Sequence, residues 1–319
     1  MPAPECQTES RPPSDFAAVW RALPGKPLLG ALLVVWVAFF HAQGNSTLGY
    51  IPSPSLFLWL ENAWRHSADD QHGYFIPFAV LALLWWRRDE WLALPKRPWW
   101  PALALVALAL AVHALGFVVQ QTRFSVVGFF AGLWALTGLA WGAAWLRATF
   151  FPFVLFAFCV PLGAVSDSLT FPLRLLATNI TVALSHTLLG VDVIQRGTAL
   201  LDPAGRFQYE VAAACSGIRS LAAIAALALV YAFMEFRRPW KRCVVLLAAV
   251  PLAVAANVVR LLIIIIAADA FGQKAGNAAH ENPWLSLLPY VPAVAGLFAL
   301  GRWLREDAPP TAGGRESGG

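Results

Sequence analysis

The chain is short of charge. Only 13% of its 319 residues are Asp, Glu, Lys or Arg, against 59% hydrophobic. A soluble domain of this size carries about 25% charged residues, so that class is excluded. Cysteine is scarce as well. Cys6, Cys159, Cys215 and Cys243 are too few and too scattered for a disulfide framework or a zinc site, and no CxxC pair occurs. There is no HExxH and no paired carboxylate–His spacing, which argues against a metal-dependent membrane protease, and phosphate-binding loops are missing. Neither a metal nor a cofactor is expected. The net charge is +5, but the basic residues stand in short clusters between apolar runs, which argues against a nucleic-acid partner. No small-residue cleavage site follows a short apolar core near the start. Residues 1–27, Pro-rich and polar, therefore read as a disordered cytoplasmic tail and not a signal peptide. Residues 305–319, Gly-rich, read as a second such tail.

What the chain does have is apolar length, with 15 Trp and 23 Pro, the interfacial aromatics and helix breaks of polytopic membrane proteins. Hydropathy predicts an all-α, polytopic integral membrane protein with one multi-span domain over 28–304. Eight spans are expected: Leu28 to Ala42, Tyr74 to Trp86, Trp99 to Val119, Val126 to Leu146, Thr149 to Val165, Cys215 to Phe236, Val244 to Ala268 and Leu285 to Leu304. Arg147 separates the fourth from the fifth. PSLFLWLENAW, between the first two, suits a short interfacial helix. Ser166 to Gly190 carries Asp167, Arg174, Asn179 and His186 among leucines, which predicts a helix lying at the outer interface. Val191 to Tyr209 has the Gly, Pro and alternation of a small hairpin.

Lys and Arg set the orientation. With both termini inside, RRPWKR, Arg87, Arg88, Lys96, Arg97, Arg147, Arg302 and Arg305 face inward. The stretch EVAAACSGIRSL then faces outward at the mouth of the sixth span. There Cys215 stands at a helix N-terminus, where unpaired N–H groups and the helix dipole favour a thiolate. Arg219 follows one turn on. A lone membrane thiol otherwise packs as a small hydrophobe.

Arg260, in PLAVAANVVRLLIIII, is a charge inside a span, which costs about 2.5–3.5 kcal/mol on insertion scales and is therefore read as functional. Alternatively it snorkels, or ties helices together through Asn257. Val244 to Arg260 is about 24 Å of helix, so against a hydrocarbon core of about 30 Å Arg260 lies close under the outer surface. His280, in the outer loop GQKAGNAAHENPW, is either solvated or a general base. A thiol, a base and a fixed cation at one level are the parts of acyl transfer.

These residues resemble the exosortase/archaeosortase family of membrane-embedded cysteine transpeptidases. ACSGIRSL, at Ala214 to Leu221, is similar to the nucleophile motif, and PLAVAANVVR to the second motif. Softer likenesses are QHGYFIP at Gln71 to Pro77 and RGTALLDPAGRFQYEVA. The resemblance covers about Gln71 to Leu300. It departs after His280, where Pro283, Trp284 and Leu285 stand in place of Gly and aromatic residues. It implies Cys215 as nucleophile, Arg260 as catalytic cation and His280 as catalytic base, with His72 the other candidate for the base. Arg219, Asn257 and His72 are expected to serve substrate binding. It further implies a multi-pass enzyme of the bacterial cytoplasmic (inner) membrane, its site facing outward among membrane lipids. The implied partners are exported proteins with a tripartite C-terminal sorting signal: a short Pro-containing motif, a membrane helix and a basic end. Acceptor (water, amine or lipid) and oligomeric state stay open. A transporter or non-catalytic scaffold for surface-polymer export is the alternative. A transporter would favour inverted repeats and midplane charges, and no clear internal repeat is visible. Reporter fusions at Glu210 and at Lys241 should report opposite sides of the membrane; one side for both would overturn the orientation.

Overall fold

The computed structural model describes residues 16–47, 51–67, 69–210, 217–282, 285 and 288–305. It is mostly helical and divides into two compact units, 1–162 and 163–319. Three helices are long and apolar enough to cross a membrane, Lys26–Gln43, Thr122–Trp141 and Pro239–Phe271, and four shorter apolar helices accompany them: Ile76–Trp86, Ala102–Val118, Ala143–Cys159 and Leu221–Glu235.

The first unit holds α1 (Phe16–Ala22), α2 (Lys26–Gln43), α3 (Leu56–His66), α4 (Ile76–Trp86), α5 (Arg88–Leu92), α6 (Ala102–Val118), α7 (Thr122–Trp141) and α8 (Ala143–Val154). The helix α1 lies in what the composition reads as a disordered tail. Proline opens both α2 and α4 in the first turn, where its missing N–H costs nothing. The α3 helix buries Leu56 and Leu60 and is capped by Ser55, in the stretch expected to form a short helix. The core is aromatic: Trp36 of α2 donates to the Phe129 carbonyl of α7 at 3.0 Å, over Gly132, where any Cβ would come within 1.9 Å of the indole.

The boundary between the fourth and fifth runs differs from the expected one. The break falls at Gly142, five residues before Arg147, because the chain there adopts φ +103° with the Arg97 carbonyl 2.7 Å from any added Cβ. Only glycine fits that position, and hydropathy does not register it. Arg147 lies within α8. After Pro152 the α8 helix tightens into a 3-10 turn, Leu155–Cys159.

The second unit holds α9 (Ala164–Leu184), the strands β1 (Ile194–Arg196), β2 (Ala199–Leu201) and β3 (Gln208–Glu210), and then α10 (Gly217–Glu235), α11 (Pro239–Phe271), α12 (Gln273–Glu281) and α13 (Tyr290–Trp303). The expected hairpin is a three-stranded antiparallel meander in the order β1-β2-β3, with Ile194 opposite Leu201 and Leu200 opposite Tyr209.

The stretch expected to lie at the interface is the α9 helix, and burial shows which of its sides meets the protein. Here Thr170, Arg174, Thr178, Thr181 and Ser185 are buried, while Phe171, Leu176 and Ile180 are exposed. Polar residues thus turn inward, toward the neighbouring helices, and apolar residues outward. The buried face packs on α11 and α10. Thr178 and Thr181 return their hydroxyl protons to the carbonyls of Arg174 and Ala177. His186, past the end of α9, is exposed beside Asp192 at 3.5 Å.

With 33 residues, α11 is about 50 Å long, against a hydrocarbon core of about 30 Å. Its far end carries the meander: Leu200, Phe207 and Tyr209 bury against Leu261, Ile264, Ile265 and Ala268. Arg206 clamps this contact, donating to both Asp202 oxygens at 2.9 and 3.1 Å and pairing with Asp269 of α11 at 2.9 Å. Gln273 extends the β3 edge by exchanging two hydrogen bonds with the Gln208 backbone, at 2.8 and 3.3 Å. The Tyr209 hydroxyl donates to the Gln273 carbonyl at 3.0 Å.

Hydrogen bonds from Arg206 hold the Asp202 carboxyl below its ordinary value of 3.8. A carboxyl lowered by folding stabilises at pH above its unfolded value, and that contribution drains away as pH falls below it. Protection of the amides at 207–210, taken relative to the intrinsic exchange rate at each pH, should therefore be high at neutral pH and fall below about pH 4. In Asp202→Asn, protection should be lower at neutral pH and lose this acid dependence.

Candidate active site

The α10 and α11 helices form an antiparallel hairpin around the Arg237–Arg238 turn. Ile224, Ala228, Ala232 and Phe236 recur every four residues on α10. They bury in one cluster with Val245, Ala249, Ala253 and Ala256 of α11. In an antiparallel pair the last of one series meets the first of the other, so Phe236 lies level with Val245 and Ile224 with Ala256. The next turn along is consistent with this: Leu221 lines the same cavity as Val254 and Asn257. On the same register Arg260 of α11 lies level with Leu221, and Gly217, the first described residue of α10, with Ile264. The start of α10 thus stands one turn beyond Arg260, about 6 Å along the helix axis.

The cavity just below them measures about 20 Å³. Three polar side chains line it: Thr170 and Arg174 from α9 and Asn257 from α11. All three are at least nine-tenths buried, at 3%, 6% and 5% exposure. The Asn257 Oδ1 accepts no hydrogen bond among the described residues, a cost of about 1–3 kcal/mol for a buried acceptor. Arg260, three residues on, is half-buried and its Nε is enclosed. The Arg174 side chain thus borders a small polar space among apolar side chains, with Arg260 one turn further along α11.

The other expected residues divide into two groups. Cys215 lies outside the described residues, separated from Gly217 by Ser216 alone. Arg219 falls in the first turn of α10, and its side chain is not described. His280 does not stand in a loop: it lies in α12, which begins after a sharp turn at Gly272, φ +83°. The side chain of His280 is likewise not described. The α12 helix doubles back because Gly276 leaves room for Tyr209 and Ala268, whose atoms would come within 2.0 and 2.9 Å of an added Cβ. His280 is one turn beyond Gly276 on this returning helix.

His72 belongs to the first unit, in the 3-10 turn Gln71–Tyr74, with Nδ1 at 2.9 Å from the Asp69 carbonyl. The adjoining Gly73 has a packing reason. The Trp64 indole would lie 2.4 Å from any Cβ there, and that indole donates to the Cys159 carbonyl at 3.2 Å. Cys159 is buried, and Cys243 is exposed near the start of α11. Among the described residues no three His, Cys, Asp or Glu side chains gather as metal ligands.

Arg174 is the residue that reading the sequence left among interfacial polar groups. Its signal was periodicity. Thr170, Arg174, Thr178, Thr181 and Ser185 recur at helical spacing and mark one face.

A family of proteins described as transmembrane exosortases has a sequence model that matches residues 64–300 of the chain. No curated protein and no solved structure matches it.

An orphaned buried acceptor is a liability to the fold, so Asn257→Leu separates structural from functional roles. The variant should unfold in detergent at a temperature equal to or above the parent's, and it should lose substrate turnover. Loss of both would reduce Asn257 to a packing residue.

Proposed function

Because the chain belongs to the transmembrane exosortase family, we propose that it is a membrane-embedded cysteine transpeptidase acting on the C-terminal sorting signal of exported proteins. It is an integral membrane protein; we place it in the inner membrane with eight crossings and its active site facing outward. The observation that carries the catalytic assignment is the register of α10 against α11. That register puts Arg260 level with Leu221, one turn below the start of α10 and within a long side chain's reach of it.

In this reading Cys215 is the nucleophile. The unpaired N–H groups opening α10 and the nearby guanidinium lower the cost of its thiolate. His280 takes the thiol proton. The thiolate attacks the scissile carbonyl carbon, and the negative charge that develops on the carbonyl oxygen is met by the planar donors of Arg260. Collapse of the adduct breaks the C–N bond. The departing amine takes the proton from the His280 imidazolium, and the new C-terminus remains as a thioester on Cys215. An acceptor nucleophile then gives up its proton to His280 and displaces the thiolate. Asn257 and Arg174 supply a polar wall beneath this centre. There a peptide carbonyl finds a donor, and a peptide N–H finds the Asn257 Oδ1. Arg219 anchors the approach of the substrate.

The test is co-expression with an exported protein carrying the tripartite tail. Cys215→Ala and Cys215→Ser should abolish cleavage with insertion intact, while Cys159→Ala and Cys243→Ala remain active. Arg260→Lys keeps the charge and loses the two-point geometry, so turnover should fall by about a hundredfold or more. His280→Ala should lose most turnover together with the rise in rate near pH about 6.5. Were His72→Ala to lose that rise instead, His72 would be the base. Normal processing by Cys215→Ala would leave a non-catalytic scaffold.

A further inference from the structure

The opposite end of the second unit carries a separate feature. A groove of about 620 Å³ runs between α10 and α13. One face of α13 forms its wall at helical spacing: Ala295, Phe298 and Ala299, then Arg302, with Arg305 just past the helix end. Opposite them, α10 contributes Tyr231 and Glu235, four residues apart. Tyr231 lies across Gly301, where an added Cβ would come 2.0 Å from its hydroxyl oxygen. The groove is thus apolar for two turns and cationic at its end.

The helix ends here would ordinarily absorb cations, since their last carbonyls are unpaired and carry the negative pole of the dipole. That demand is met by other residues. Lys241 donates to the carbonyls of Leu304 and Arg305 at 2.7 and 3.3 Å, and Arg242 Nε to the carbonyl of Phe236 at 2.7 Å. Arg302 and Arg305 make no side-chain hydrogen bond or ion pair among the described residues. Both are exposed, with Trp303 exposed beside them at 81%. Two arginines against one Glu235 leave the groove net positive.

We propose that this groove binds one anionic glycerophospholipid of the phosphatidylglycerol type. An acyl chain lies along Ala295, Phe298 and Ala299. The phosphodiester meets the Arg302 and Arg305 guanidinium groups, whose forked donors match two phosphate oxygens. The headgroup hydroxyls donate to Glu235, which gives that carboxylate a role other than repulsion. A basic pocket between helices at the cation-rich end is where such a headgroup is held. The net charge of the groove favours a ligand of charge −1 over a zwitterion.

The experiment is native mass spectrometry of the full chain, delipidated in detergent and titrated separately with dioleoyl-phosphatidylglycerol and dioleoyl-phosphatidylethanolamine. It requires no cleavage activity. One phosphatidylglycerol should be retained about tenfold more strongly than phosphatidylethanolamine. That preference should vanish in Arg302→Gln/Arg305→Gln and survive in Arg237→Gln/Arg238→Gln, whose charges lie outside the groove. Arg302→Lys/Arg305→Lys should keep part of it, which guards against a loss caused by misfolding. Equal retention of the two lipids, an unchanged preference in the Gln pair, or displacement by millimolar inorganic phosphate would overturn the proposal.

Discussion

A seam of small side chains between α10 and α11 sets the level of every group in the second unit. In lipid, helices gain little by hiding apolar surface from one another, so association rests on close packing and on polar contacts. Ala228, Ala232, Ala249, Ala253 and Ala256 let the two backbones approach, and their four-residue recurrence allows one register. That register puts Arg260 level with Leu221, one turn from Gly217, at one end and the Arg237–Arg238 turn at the other. A shift of one turn would change that separation by about 5.4 Å.

Beyond the seam, α11 continues for about another four turns, and this projecting end organises the rest. The meander packs its apolar side there and is clamped by Arg206 between Asp202 and Asp269. The α12 helix folds back over the same surface, with Gln273 completing the β3 edge. Both chain segments bordering residues 211–216 are thereby tied to α11: β3 through hydrogen bonds and the ion pair, α10 through the alanine seam.

Arginine serves two ends of the bundle in two ways, and burial decides which. Arg174 is 6% exposed and borders a cavity with Asn257. A guanidinium enclosed in that manner is expensive, and the cost is carried in transmembrane proteins where substrates or ions are handled. Arg302 and Arg305 are exposed at the helix ends, where a cation costs little and meets lipid headgroups.

Membership of the transmembrane exosortase family and the membrane class were legible in the sequence, because both depend on local facts. Apolar runs are read from composition alone, and the family's sequence model matches residues 64–300 without reference to how they pack. The stretches expected as spans coincide broadly with α2, α4, α6, α7, α8, α10, α11 and α13. Other features were settled only by tertiary structure. The break at Gly142 depends on φ +103° beneath the Arg97 carbonyl, which hydropathy cannot distinguish from a helical glycine. The helix containing His280 exists because Gly272 turns the chain and Gly276 admits Tyr209; the polar string itself reads as a loop. The inward polar face of α9 is the sharpest case. Amphipathic periodicity is the same whether the polar side meets water or a neighbouring helix. Only the packing of α9 against α10 and α11 shows that Arg174 points into the protein.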